Sequence, residues 1–293
     1  LFLFGIFYLK HINVMDNWLK HNLSIRLTDP TVDFKAWFNP TKFSIMEFHD
    51  AADYTVKKIA EFDKKIYVAY SGGVDSEYAL LSFYRNNIEI TPIIIKTSGN
   101  SEELKYAFSL CKKLNIEPIV VNVSDEEYIS LYKHCLKKIN ARFSFSSIPI
   151  LLASEIAEKN KGLNVIGNEI LDDSDSNKQS LWEISCAEWD LYHEVLLPKN
   201  KNINFFYFTP EITYSMIYQV DGSPTDKFKN RLYNIDYRPK IIVEFDKNFY
   251  KKINLLYDKP ILENKKKFKI PKDCHIFGHR NEFIKMMETW NYY

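Results

Sequence analysis

The chain has 293 residues, a formal net charge of +1, and 46% apolar against 26% charged residues. That length and balance describe a folded chain with a sizeable core, and exclude a disordered or fibrous one. Near-neutrality removes any whole-molecule field that would steer it to nucleic acid, which argues against a dedicated nucleic-acid enzyme and leaves local clusters such as Lys265-Lys266-Lys267 as the alternative.

Residues 1–14 are apolar and aromatic but too short to span a bilayer. They lack the basic start and small-residue cleavage site of a secretory signal, so neither a membrane partner nor export is expected. Met15 is the first initiator, and the stretch before it reads as an artefact of the reading frame, or else as a buried N-terminal strand. Residues 1–62 form an N-terminal extension that ends in a helix: from Ser44, the spacing of Ile45, Phe48, Ala52, Val56 and Ile59 is helical.

From residue 63 strands and helices alternate. Strand Ile66–Tyr70 leads to helix Glu77–Arg85, and strand Thr91–Lys96 to helix Ser101–Leu114, with Ser101 as its cap and Glu102 and Glu103 in its first turn. Strand Glu117–Val123 precedes a helix through Tyr128–Lys138, and a helix through Pro149–Asn160 precedes strand Leu163–Ile166. The strands are near-continuous in Ile and Val, as expected where helices cover both faces of a parallel sheet. Repeated βα units of this length predict an α/β, doubly wound parallel sheet with right-handed crossovers. Residues 63–200 are read as the domain built on this sheet. Residues 201–293, with a helix begun at Thr209-Pro210-Glu211, are read as a mostly helical region packed on it.

The segment Ser71-Gly72-Gly73-Val74-Asp75-Ser76 follows the first of these strands directly. Two glycines let the backbone come close to an anion. The helix that restarts after them aims unpaired N–H groups and its positive dipole end at that charge. Ser71 and Ser76 add hydroxyl donors without bulk. The spacing is neither that of the Walker loop nor that of the dinucleotide fingerprint. Ligands of such sheets sit at the carboxyl ends of the strands, where Thr97-Ser98-Gly99 and Gly167-Asn168-Glu169 are also placed.

The hexapeptide resembles the Ser-Gly-Gly-x-Asp-Ser signature of the PP-loop ATP pyrophosphatase superfamily, the adenine nucleotide alpha hydrolase-like (HUP) group, over roughly residues 63–170. The resemblance implies an enzyme that cleaves ATP between the α and β phosphates, adenylates an oxygen of its substrate, and lets a nucleophile displace AMP. It implies ATP and Mg²⁺ as the bound species and a cytoplasmic setting. Ser71 to Ser76 would form the cradle, with Lys96, Thr97 and Gly167 completing the nucleotide site. Asp75 would ligate Mg²⁺ or, alternatively, cap the helix that follows. Lys96 is otherwise a solvated strand-end residue.

The acidic stretch Gly167-Asn168-Glu169-Ile170-Leu171-Asp172-Asp173 is similar to, but not the same as, the Gly-x-Gly-x-Asp-Glu loop of asparagine synthetase-like members. Glu169 and Asp172 are candidate catalytic acids and Asp173 a candidate metal ligand. A plain acidic turn is the alternative for all three. Farther on, Phe228 to Tyr233 leading into Tyr237-Arg238-Pro239-Lys240 resembles the asparagine synthetase stretch whose lysine stabilises the adenylated intermediate. By that resemblance Lys240 would face the α-phosphate, supported by Arg238; otherwise both belong to a basic surface loop. Residues 1–62 are too few for a glutaminase domain and contain no cysteine nucleophile. Amidation of a small-molecule acceptor would therefore use free ammonia, an amine-bearing substrate or a separate glutaminase.

The second reading is a tRNA base-thiolating enzyme of the same superfamily, and the third a nucleotide-binding protein without catalysis. The four cysteines, Cys111, Cys135, Cys186 and Cys274, show no Cys-x-x-Cys spacing, which leaves Cys186 as the thiol nearest the acidic stretch. They read as reduced, partly buried thiols.

Overall fold

The computed structural model describes residues 18–21, 36–139, 147–167, 171–173, 181–184, 202–219, 226–236, 245–258 and 276–292. A short antiparallel pair, β1 (Leu19–His21) and β2 (Ala36–Phe38), comes first. Helix α1 (Phe48–Ala60) follows. Its buried stripe is Phe48, Ala52, Val56 and Ile59, as the sequence spacing predicts, whereas Ile45 lies outside the helix and is 61% exposed.

The central sheet is built from β3 (Ile66–Ala69), β4 (Ile90–Lys96), β5 (Ile119–Asn122), β6 (Leu163–Ile166) and β9 (Asn202–Asn204). Its order is β5-β4-β3-β6-β9, and every neighbouring pair is parallel. Helices α2 (Val74–Arg85), α3 (Ser101–Leu114), α4 (Asp125–Ile139) and α5 (Ile148–Lys159) connect the strands, making the expected α/β doubly wound sheet. The order runs outward from β3 to β5 and then returns to place β6 on the other side of β3. The switch point therefore lies between β3 and β6, whose ends pair Ala69 with Ile166.

Three local expectations change. Helix α2 begins at Val74, three residues earlier than the apolar pattern indicates, because the glycine pair itself serves as the helix entry. Ser101 is the first residue of α3 and not its cap. Asn100 precedes the helix, and its carboxamide holds the preceding turn, accepting from the Thr97 amide at 2.9 Å and donating to the Ile95 carbonyl at 2.8 Å. The parallel sheet also continues beyond residue 200, through β9. That strand carries a single apolar residue, Ile203, between Asn202 and Asn204. Asn202 is accommodated because Oδ1 accepts from Asn164 of β6 at 2.9 Å and from Ser154 of α5 at 2.7 Å.

A second, three-stranded antiparallel sheet has the order β10-β8-β7, from β7 (Leu171–Asp173), β8 (Leu181–Ile184) and β10 (Ile276–His279). Among the described residues the C-terminal portion is mostly helical, with α6 (Pro210–Gln219), α7 (Asp226–Tyr233), α8 (Lys247–Asp258) and α9 (Arg280–Thr289), and also supplies strands β9 and β10. Pro210 is the first residue of α6, where its missing N–H costs no hydrogen bond. No helix among the described residues is long and apolar enough to cross a membrane.

The core beside the switch point is aromatic. Tyr78 stacks on Tyr233 (4.5 Å between centroids) and on Phe48 (5.1 Å), and Phe206 stacks on Tyr233 at 5.8 Å. This stack joins α1, α2 and α7, with each such pair contributing about 0.5–1.5 kcal/mol beyond its buried area.

Candidate nucleotide-binding site

The loop at 71–76 leaves the carboxyl end of β3 and enters α2 without a spacer. Gly72 has φ +94°, a conformation side chains rarely adopt, and a Cβ there would collide with the backbone carbonyl of Glu103. Gly73 is the residue before the helix, extended at φ −71°, ψ 153°. The first intrahelical bond runs from the Glu77 amide to the Gly73 carbonyl at 3.0 Å. Val74, Asp75 and Ser76 thus form a first turn whose amides point along the axis rather than at carbonyls of their own helix.

The hydroxyls close the loop on itself. Ser71 Oγ accepts from the Gly73 amide at 3.1 Å and lies 3.3 Å from Ser76 Oγ, which donates to the Gly73 carbonyl at 3.0 Å. These are short-range contacts among the groups that would turn to an anion. Gly167, directly after β6, packs onto the same turn. A Cβ at Gly167 would lie 2.7 Å from the Asp75 carbonyl oxygen and 2.7 Å from Ser76 Cα. Only a residue without a side chain lets the end of β6 come this close to α2, so the sequence's two glycine signals meet at the switch point.

Asp75 stands in the first turn of α2, and its Oδ1 accepts a hydrogen bond from the Tyr233 hydroxyl at 2.6 Å. Tyr233 is 3% exposed and held in the aromatic stack, so the carboxylate is tied to a rigid partner from α7. Sequence reasoning placed Tyr233 in a motif for its neighbouring basic residues and missed it as a partner of Asp75. Two residues later, buried Glu77 accepts from the Tyr70 hydroxyl at 2.9 Å.

A cavity of about 440 Å³ opens beside the cradle, sharing Ser71 with it. Its floor is the sheet, through Ala69, Ile93, Ile95 and Thr97; α5 covers it through Pro149, Ile150 and Ala153, and Tyr128 and Phe245 form aromatic walls. The pleat decides which residues of β4 take part. Ile93 and Ile95 of β4 and Thr97, the residue just after it, line the cavity, whereas Lys96, between the last two, is exposed. Lys96 is therefore not brought to the cavity, whereas Thr97 is.

Glu103 also lines the cavity, from the first turn of α3. Burial pushes its carboxyl up to about 7 from an ordinary 4.5, and no hydrogen bond or neighbouring charge contributes. The sequence signal that could have found it is its place on the buried stripe Glu103, Ala107, Cys111, a charge at i, i+4, i+8 with core residues.

Asp172 and Asp173 fall in β7 of the second sheet, so the acidic stretch is in part a strand; their side chains lie outside the described residues. Glu169, Arg238, Lys240, Cys186 and residues 1–14 also lie outside the described residues. Among the described residues no group of three or more His, Cys, Asp or Glu is disposed to hold a metal ion.

No protein-family model matches the chain, and no curated protein matches it in sequence. Among solved structures it is similar to a glutamine-dependent NAD+ synthetase from Acinetobacter baumannii, at 10% identity and TM-score 0.35, over 46% of this chain and 28% of that one. It is also similar to a predicted subunit of tRNA methyltransferase from Methanocaldococcus jannaschii (14% identity, TM-score 0.36, 72% of this chain and 94% of that one). A third is an NMN synthetase from Francisella tularensis (12% identity, TM-score 0.36, 78% and 98%). At these identities and scores the likeness carries no conclusion about activity. What the fold and the site define by themselves is an α/β protein with a glycine turn at the switch point of a doubly wound sheet and a largely apolar cavity beside that turn.

Proposed function

We propose that the chain is an ATP-dependent adenylating enzyme, cleaving ATP to AMP and pyrophosphate to activate a carboxylate or carbonyl oxygen of a small-molecule acceptor. The observation that carries this reading is the junction at Ser71, where the glycine turn and the first-turn amides of α2 adjoin a largely apolar cavity. A nucleoside triphosphate needs those two environments side by side: hydrogen-bond donors for its phosphates and an apolar slot for its base.

In this reading the first-turn amides and the hydroxyls of Ser71 and Ser76 exchange their contacts within the loop for the departing diphosphate. Asp75 offers the hard oxygen that Mg²⁺ takes, and a single carboxylate suits an ion that keeps several waters and binds chiefly through substrate phosphates. When bound, the ion neutralises charge on those phosphates. Tyr233 fixes the direction of Asp75. Glu169, Asp172, Asp173 and Lys240 are the candidate groups for general base, metal and α-phosphate contacts, as in the asparagine synthetase-like branch. The transfer would form a C–N bond, with ammonia free or delivered by a separate glutaminase, in the cytoplasm.

The test is product analysis after incubation with ATP, Mg²⁺ and candidate acceptors. AMP and pyrophosphate in equal amounts support adenylation, and ADP contradicts it. Loss of both products in Asp75→Ala, in a protein that still folds and unfolds cooperatively, supports the metal role. The thiolation reading finds no nucleophile among the described residues. Cys111 and Cys135 are buried, and burial pushes Cys111 up to about 11, far from a thiolate at neutral pH.

A further inference from the structure

We propose that Glu103 is the base-selecting residue of the cavity, its carboxyl oxygen accepting a hydrogen from the exocyclic amine of adenine. This inference rests on the nucleotide-binding reading above and adds to it a specificity that the phosphate cradle cannot supply.

The cavity is built for a flat, mostly apolar group. Isoleucines 93 and 95, Pro149 and Ala153 are its broad walls, and the rings of Tyr128 and Phe245 stand at its side, 5.4 Å apart between centroids. Phe245 is itself fixed by stacking on Phe249 at 3.9 Å. Polar groups on the wall are few, and they differ in how far they are already used. Asn100 spends its carboxamide on the turn between β4 and α3, on the Thr97 amide and the Ile95 carbonyl. The Glu103 carboxyl, by contrast, is met by no hydrogen bond or ion pair among the described residues, although it is half-buried.

A half-buried acid without a partner costs stability, and nothing in the fold of α3 requires one there, since Glu102 already serves the helix dipole at the first turn. A ligand donor removes that cost. Position limits which donor it is. The Gly72 backbone lies directly on the Glu103 carbonyl, so the carboxyl is anchored beside the phosphate loop, and Ser71 borders both sites. A nucleotide with its phosphates at 71–76 and its base in the adjoining cavity would meet the part of the wall that Glu103 lines. Either protonation form of the carboxyl retains an accepting oxygen, and the neutral acid can also donate to a ring nitrogen beside the amine, a pattern that adenine matches.

The experiment compares binding of ATP, ITP and GTP to the full chain and to Glu103→Ala and Glu103→Gln, by calorimetry with Mg²⁺. ITP keeps every phosphate and replaces the 6-amine with an oxo group. The intact chain should bind ATP about ten- to a hundredfold more tightly than ITP, the range for a hydrogen bond involving a charged group. Glu103→Ala should bring the two nucleotides to within about threefold. Gln keeps an accepting oxygen and should retain part of the preference, which separates a lost contact from a lost fold; melting curves of all three proteins check the latter. Equal affinity for ATP and ITP in the intact chain, or a preference that survives Glu103→Ala, overturns the inference while leaving nucleotide binding in place. A preference for GTP that vanishes on substitution also overturns it, because the carboxylate would then be reading guanine. Absence of binding by all three nucleotides overturns this inference and the reading on which it rests.

Discussion

Replacing Glu103 by Gln should make the protein more stable at alkaline pH and change the shape of its pH profile. The carboxyl ionises near 7 in the folded chain because burial disfavours its charged form, and near 4.5 when unfolded. Between those values the folded state holds a proton that the unfolded state has released. Stability therefore falls as pH rises from about 4.5 to about 7, and is level above that. At about 1.4 kcal/mol per pH unit the whole interval corresponds to at most about 3.5 kcal/mol. Because the residue is half-buried and its cavity admits water, about 2 kcal/mol is the expected figure. Gln has the same shape and no proton to lose. Urea unfolding of both proteins at pH 5 and pH 8.5 measures the effect: the Gln variant should gain about 2 kcal/mol relative to the parent between the two conditions. Curves that stay parallel within about 0.5 kcal/mol refute the reasoning, since they would mean the carboxyl is as well solvated folded as unfolded.

Gly72→Ala should cost about 2 kcal/mol or more, from the positive φ together with displacement of the Glu103 backbone, read as a lowered denaturation midpoint. Its loss of nucleotide affinity should exceed its loss of stability, because the loop itself must shift. Tyr233→Phe keeps the aromatic stack and removes the 2.6 Å bond to Asp75. Stability should fall by about 1 kcal/mol, and pyrophosphate release should need more Mg²⁺ for half-maximal rate. Cys111 should not react with a thiol-specific disulfide reagent at pH 8 in the native protein and should react fully in denaturant, as its thiol is pushed up to about 11.

The βα core was legible because its signals are local. Continuous Ile and Val in β4 and the apolar stripe of α1 state period and burial directly, and the glycine pair marks the entry to α2. Strand β9 was not legible, since a three-residue segment with asparagines at both ends has no apolar alternation; its place depends on Asn164 and Ser154, far away in the chain. The acidic stretch was read as a loop for the same reason. Leu171–Asp173 becomes a strand only because Leu181–Ile184 pairs with it. Lys96 and Thr97 were adjacent candidates in the sequence, and only the pleat of β4 separates them, sending one to solvent and the other to the cavity.

Gly72 and Gly167 complete the account of why the site lies where it does. The backbone of one rests on the first turn of α3, and that of the other on the first turn of α2. Each contact is one that a Cβ would forbid, so the ends of β3 and β6 and the starts of two helices are drawn into a space that side chains would otherwise fill. Two consequences follow from the same geometry. Helix amides converge where an anion can reach them, and the first turn of α3 carries Glu103 to the rim of the adjoining cavity. Cradle and carboxyl are therefore mechanically linked through the Gly72 contact. A substitution that lifts the loop off α3 should weaken phosphate binding and base discrimination together, whereas Glu103→Ala should affect discrimination and spare the cradle.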